Sequence, residues 1–310
     1  MNHRNITPWA VRATACAALA LTAASAQALT ITPTFAASYD AASRAAIESA
    51  IGFYESRFTD NVSVTIDFVD SGSGLGSSSQ AFYTVDYATY RGALAADGTS
   101  VDDAAANAGL PFPATHDPVT GGSTVFLTRA NAAAVGLTVG SVPDGVHDWD
   151  ATIDLNLSIT NATRTAIDPD KYDLEDVAMH EMDEVLGTVS WLPNHEGIAP
   201  IDLFRRTAAG ARTFTTAGDD AWFSIDGSTR LARFNQDAGG DYGDFWSTGP
   251  HPYEIQDAFS TPGAFADMNV ETRMLDVVGY TLATSAVPEP ATFALWLGAL
   301  VALPVLRRRR

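Results

Sequence analysis

Cysteine is almost absent from this 310-residue chain: the one present is Cys16. It lies in an N-terminal stretch that reads as removable, so the remainder offers neither disulfides nor thiolate metal sites. Basic residues are scarce as well, 18 Lys and Arg against 37 Asp and Glu, for a net charge of −19. Such a surface repels phosphate backbones and anionic lipid, which argues against a nucleic-acid partner. Internal repeats are missing. The glycine-rich SGSGLGSSSQ at 71–80 has neither the lysine nor the spacing of a phosphate-binding loop and reads as a flexible loop.

The two ends do not read as fold. Residues 1–28 carry Arg4 and Arg12, then an alanine- and leucine-rich run, then Ala26-Gln27-Ala28. These are the basic, apolar and small-residue parts of a secretory signal peptide cut after about Ala28. Because the apolar run follows Cys16, a lipoprotein anchor is rejected. At the other end Ala291 to Leu306 is uncharged and mostly apolar, and four arginines follow. At about 1.5 Å per residue this run is slightly short for a bilayer, which flanking residues offset. The arginines would stay cytoplasmic and leave everything upstream outside. Val287-Pro288-Glu289-Pro290, the short apolar segment and the basic end together resemble the PEP-CTERM sorting tail of Gram-negative bacteria. That resemblance implies handling by an exosortase-type enzyme and a destination at the cell envelope or in the exopolysaccharide matrix. A plain C-terminal anchor is the alternative and predicts the same topology. Six of the 18 basic residues and one of the 37 acidic residues lie in these ends, so the middle carries 36 acids against 12 bases.

Residues 29–286 are long enough for a full core. Leu29 to Ala36 reads as a first strand, Asp40 to Phe58 as an amphipathic helix, and Val62 to Phe68 as a half-buried strand. Tyr87 to Ala95 and Val101 to Ala108 read as short helices, Thr124 to Leu127 and Asp150 to Ile159 as strands. Asp168-Pro169-Asp170 leads into a helix over Tyr172–Leu186. Beyond Gly187 short strand-like pieces (Ile201–Phe204, Ala221–Ile225, Arg230–Phe234) alternate with glycine- and aspartate-rich loops, and Leu275 to Leu282 closes the domain. The expectation is an α+β protein: a mixed sheet with helices, a central motif helix and a loop-rich second lobe across a cleft.

The motif lies in VAMHEMDEVLG, residues 177–187. A zinc peptidase helix writes H-E-x-x-H; this one has His180 and Glu181 but Glu184 in place of the second histidine. At about 100° per residue, Leu174, Val177, Ala178, Met179, Met182, Val185 and Leu186 form one apolar arc. His180 and Glu184 share its border as i,i+4 neighbours, and Asp176 and Asp183 fall on the opposite side, toward water. Glu181 falls inside the arc. A charge on a buried face is costly unless it is paired or serves a metal. Metal-assisted hydrolysis needs two ligands on one helix face and a carboxylate that reaches the attacking water as general base. The bland alternative, an i,i+4 ion pair of about 0.2–0.5 kcal/mol, explains His180 with Glu184 but leaves Glu181 unexplained.

Here the sequence resembles the secreted bacterial zincins, closest to metzincin-like peptidases with an H-E-x-x-H-x-x-G core, through His180, Glu181 and Gly187. The lead-in IDPDKYDLEDVAMHE is similar too, as are Ile201–Arg205, Phe223–Gly227 and Gly240–Trp246, so the resemblance extends over about 30–284. It implies a zincin-like fold, zinc held by His180 and Glu184, and Glu181 as catalytic base. Three departures stand out: Glu184 replaces histidine, Ser190 stands where a third ligand would follow Gly187, and no clear Met-turn is visible beyond Met268 and Met274 by position. Carboxylate oxygen is an acceptable zinc ligand. The third ligand must then come from beyond Gly187: Asp202 ranks first, ahead of His195 and His251. Calcium is a second candidate cation, at Asp168, Asp170 and Asp173 or at Asp237, Asp241 and Asp244, although neither group has EF-hand spacing and solvated loops explain them as well. Trp222, Phe223, Tyr242 and Trp246 would line a cleft or fill the core; His116 and His147 receive no role. Two functions remain open: an exported peptidase acting on protein or peptide substrates, and a non-catalytic surface or matrix-binding protein with a degenerate metal site.

Overall fold

A computed structural model of the chain describes residues 29–140, 150–216 and 220–283. The expected leader, the apolar tail over 287–310 and His147 lie outside them. No helix among the described residues is long and apolar enough to cross a membrane.

The first half builds a sheet around one crossover. Strand β1 (Thr30–Phe35) leads to helix α1 (Ala41–Arg57), and α1 to strand β2 (Ser63–Asp70), which pairs parallel with β1. Asp40 starts α1 by accepting the Ser43 N–H at 2.8 Å, as an N-cap should. In β2 the buried Val64, Ile66 and Phe68 alternate with exposed or half-exposed neighbours, so one face enters the core. The chain then forms β3 (Gly76–Gln80), a strand where the sequence suggests a loop. β4 (Phe82–Asp86) follows, then α2 (Tyr87–Asp97), α3 (Val101–Gly109), β5 (Thr124–Thr128), α4 (Arg129–Ala134) and β6 (Ala151–Leu155). β4 pairs antiparallel with β5. β6 pairs parallel with β2 and antiparallel with β3, giving the order β1-β2-β6-β3 with β3 at the edge. Polar serines hide this strand from propensity; its ladder to β6 fixes it.

Two-residue strands β7 (Thr160–Asn161) and β8 (Tyr172–Asp173) pair parallel just ahead of the motif helix α5 (Leu174–Leu186). Asp173, and not the earlier Asp168, caps α5 through the Asp176 N–H at 3.0 Å. α5 packs against α1 and β3. Beyond it the expected strand at Ile201–Phe204 is a 3₁₀ turn, Pro200–Phe204. Strands β9 (Arg205–Thr207), β10 (Ala221–Phe223) and β11 (Ala232–Arg233) form a small antiparallel sheet. The closing element is helix α6 (Asn269–Val277), set somewhat earlier in the chain than the expected Leu275–Leu282. The fold is mixed α and β, with six α-helices and several small sheets among the described residues. Its buried apolar side chains form one continuous cluster spanning both halves.

Candidate metal centre

α5 presents its ionisable side chains to the interior. Glu181 and Glu184 are buried at 6 % and 7 % exposure, as the position of Glu181 inside the apolar arc requires. The wheel fails for Asp183, which is fully buried rather than solvated. Its Oδ1 lies 2.8 Å from the hydroxyl of Tyr54 on α1, which also reaches the Met179 carbonyl at 2.8 Å. α1 covers that side of the helix, so α5 is enclosed on nearly every face. Asp176 is only partly exposed as well, held by Arg164 at 2.6 Å and by the Ala266 N–H at 2.8 Å.

Three donors converge on the other side. One ligand atom each of His180, Glu184 and Asp244 lies within 4.8 Å of the other two. His180 Nε2 is 3.8 Å from Asp244 Oδ1. The other ring nitrogen, Nδ1, is 2.9 Å from the Ile255 carbonyl oxygen. A carbonyl can only accept, so Nδ1 carries a proton and Nε2 is the ring atom that faces the acids, placed to ligate a cation in exchange for its own proton. Gln256 donates to the His180 carbonyl at 3.0 Å, which ties the same segment to the helix backbone.

β3 supplies the next layer. Ser78 Oγ donates to Glu184 Oε2 at 2.5 Å. Two residues earlier on the same face, a side chain on Gly76 would place its Cβ 2.4 Å from Glu181 Oε1. Here glycine is required by the closeness of the backbone to a carboxylate. Glu181, Glu184, Asp244 and His180 border one cavity of about 350 Å³.

The electrostatics show an unmet demand for positive charge. Burial pushes Glu181 up to about 8, reinforced by Glu184, Asp244 and Asp241 against the opposing effect of His180. Burial likewise raises Glu184 and Asp244, the latter well above the usual carboxylate range. Burial alone would lower His180, but Glu181, Glu184 and the Ile255 carbonyl together raise it. No arginine or lysine among the described residues is ion-paired with Glu181, Glu184 or Asp244. Buried carboxylates in that state are stabilised by protons or by a cation. The donor set fits a divalent cation without selecting zinc over its neighbours.

No protein-family model, curated protein or solved structure matches this chain.

The expected third ligands are not in the cluster. Asp202 is buried, and its oxygens accept from Ser190 Oγ at 2.6 Å, Trp191 N at 2.9 Å and Ala199 N at 2.8 Å. It closes the turn after Gly187, committed to these three donors and outside the three-donor group. His195 is exposed and stands edge-on to Phe214. His251 Nε2 is bound to Asp257 at 2.9 Å and also stays outside the three-donor group. Asp244 takes the third position, carried by a pinned loop. Asn235 N donates to the Asp244 carbonyl at 2.8 Å, and Asn235 Nδ2 donates to the Asp237 and Asp241 carbonyls. The fully buried Arg205 donates to the Tyr242 carbonyl at 2.7 Å. Gly187, at φ 123°, ends α5 and turns the chain sharply. The turn leads to Thr188–Ser190, which rests on Gly243: a Cβ there would lie 2.8 Å from Ser190 N. The signal for Asp244 was in view, since Gly240–Trp246 and the Asp237, Asp241, Asp244 group both stand out in the sequence. Nothing local distinguished a ligand from a solvated loop acid.

Of the calcium candidates, Asp173 is committed to the helix cap and to Arg164 at 2.8 Å, and no metal-ready group includes Asp168 or Asp170 among the described residues. Phe223 is core, Tyr242 lines a groove beside the cavity, and Trp222 and Trp246 stack under Arg230 and Arg233.

Proposed function

We propose that this chain is an exported, metal-dependent peptidase with a zincin-like arrangement, in which His180, Glu184 and Asp244 hold a divalent cation, zinc being the ion that the resemblance of the motif implies. One observation carries the reading: a nitrogen and two carboxylate oxygens converge on a cavity that also receives a buried glutamate from the same helix. The mixed sheet with an antiparallel edge strand beside the motif helix supports the zincin-like assignment.

When bound, the cation supplies Lewis acidity that polarises the scissile carbonyl and acidifies water. The chain's own residues do the rest. Glu181 takes a proton from the attacking water as its oxygen bonds to the carbonyl carbon, and delivers that proton to the leaving nitrogen as the C–N bond breaks. Burial and the neighbouring acids raise the Glu181 carboxyl, which favours returning the proton, while a bound cation would oppose that shift and favour taking it up. Gly76 sets where the carboxylate rests, and Ser78 orients Glu184. The leader and the PEP-CTERM-like tail support export to the envelope of a Gram-negative bacterium, with an exosortase-type enzyme as a processing partner and the exopolysaccharide matrix as surroundings. The replaced histidine motivates the second reading, a non-catalytic matrix-binding protein with a degenerate site.

Metal analysis of the purified full chain, with cleavage of an unfolded protein substrate, tests the proposal. The expected result is near-stoichiometric divalent metal and cleavage. Glu181→Gln should lose roughly 10²–10⁴-fold in rate and keep the metal. An equally active Glu181→Gln variant overturns the assigned role, and activity that appears only in Glu184→His favours the degenerate site.

A further inference from the structure

We infer that the cleft selects peptides bearing a lysine or arginine side chain next to the scissile bond, with Asp241 as the specificity-determining residue. The inference rests on the peptidase reading above and names its substrate class.

The cavity of about 350 Å³ continues into a groove of about 220 Å³, and the two share Ser78, Glu184 and Asp241. Neither is lined by a lysine or an arginine. A single divalent cation offsets Glu184 and Asp244, and Glu181 is committed to the proton. Asp241 is left over, and Asp257 has only His251 opposite it. The backbone of Asp241 is anchored, its carbonyl accepting from Asn235 Nδ2 at 3.0 Å and its N–H serving the Asp244 carboxyl. Its own carboxylate is exposed and makes no hydrogen bond or ion pair among the described residues. Asp257 lines the same cavity at 4 % exposure. Its Oδ2 accepts from His251 and, at 3.3 Å, from the Glu254 N–H, while Oδ1 is buried without a partner.

An apolar element completes the subsite. Phe259 lines this cavity with 43 % of its surface exposed, and its ring edge would be 3.4 Å from a Cβ on Gly240, the residue before Asp241. A carboxylate beside an exposed ring matches a cationic head on an alkyl stem: the stem lies on the ring and the head meets the acid. A glutamyl side chain in the same place meets like charge, so discrimination comes from repulsion as well as attraction. The excess of acids elsewhere in the chain draws basic substrates toward the cleft from a distance.

The test uses the full chain and matched fluorogenic peptides with Lys, Gln or Glu on either side of the cleaved bond. The expected order of kcat/KM is Lys above Gln above Glu, with Lys over Glu by about ten-fold or more, the range of one charge-assisted hydrogen bond. The preference should shrink in about 1 M salt, where the Debye length falls to about 3 Å. Asp241→Asn should narrow the Lys-to-Glu ratio, and Asp241→Lys should reverse it. Equal rates on the three peptides, or a ratio unchanged in both variants, overturns the inference while the peptidase reading stands. Failure to cleave any peptide or an unfolded protein overturns that reading, and the specificity inference with it.

Discussion

His180 Nε2 lies 3.8 Å from Oδ1 of Asp244, a residue carried by a different part of the chain and held in place by Asn235 and Arg205. Asp244→Ala should therefore weaken divalent-cation binding at least as much as the roughly 100-fold that loss of an outer-shell partner can reach. Asp202→Ala should leave cation affinity within a few-fold and instead lower stability by about 1–3 kcal/mol, because its backbone and hydroxyl donors lose their acceptor. Calorimetric titration with zinc, together with urea denaturation, separates the two roles.

Gly76 and Ser78 touch the two glutamates of the site from one face of β3. Gly76→Ala drives a methyl group into the space of Glu181, and a displacement of about 1 Å in a reacting group costs about 10²-fold in rate. The expected variant keeps its metal and loses kcat. Ser78→Ala should weaken metal binding about 10–100-fold by releasing Glu184. Parallel metal analysis and steady-state kinetics would distinguish these outcomes.

Tyr54 shields the back of the motif helix. Burial pushes Asp183 up to about 8, against the hydrogen bond that the Tyr54 hydroxyl donates to it, and the same hydroxyl lies 2.8 Å from the Met179 carbonyl. Tyr54→Phe removes both bonds and leaves the buried Asp183 carboxyl without a side-chain partner. A loss of about 1–3 kcal/mol or more is expected in chemical denaturation. A loss under about 0.5 kcal/mol would mean that water reaches this face.

Asp276 on α6 provides a pH dependence away from the candidate metal centre. Burial raises it to about 7, with Asp103 and Asp102 adding, although Ser100 Oγ at 2.6 Å and Arg273 oppose. In the unfolded chain it titrates near 3.9. The folded state therefore holds this proton more tightly, so the contribution to stability is complete below about pH 4. It is lost as pH rises through about 7. Asp276→Asn should melt above the parent at pH 8 and flatten the fall in Tm between pH 4 and 8. Thermal melts in the presence of chelator measure this directly.

The sequence alone was enough to place α1, β2 and α5, because each carries a period that its own buried face imposes: 3.6 residues in Ala46, Ile47, Ala50, Ile51 and Tyr54, and two in Val64, Ile66 and Phe68. It also placed Glu181 on the inward side of its helix and paired His180 with Glu184, since helical geometry relates residues one turn apart. Tertiary structure alone decided the rest. Gly76–Gln80 became a strand only through its ladder to β6, and Asp183 was buried only because α1 covers a face that an isolated helix would show to water. Asp244 joined His180 and Asp202 did not, although both are aspartates downstream of Gly187 in glycine-containing or apolar surroundings. Which carboxylate meets the imidazole depends on loop closure through the Asn235 and Arg205 hydrogen bonds, and contacts at that separation leave no period in the chain to read.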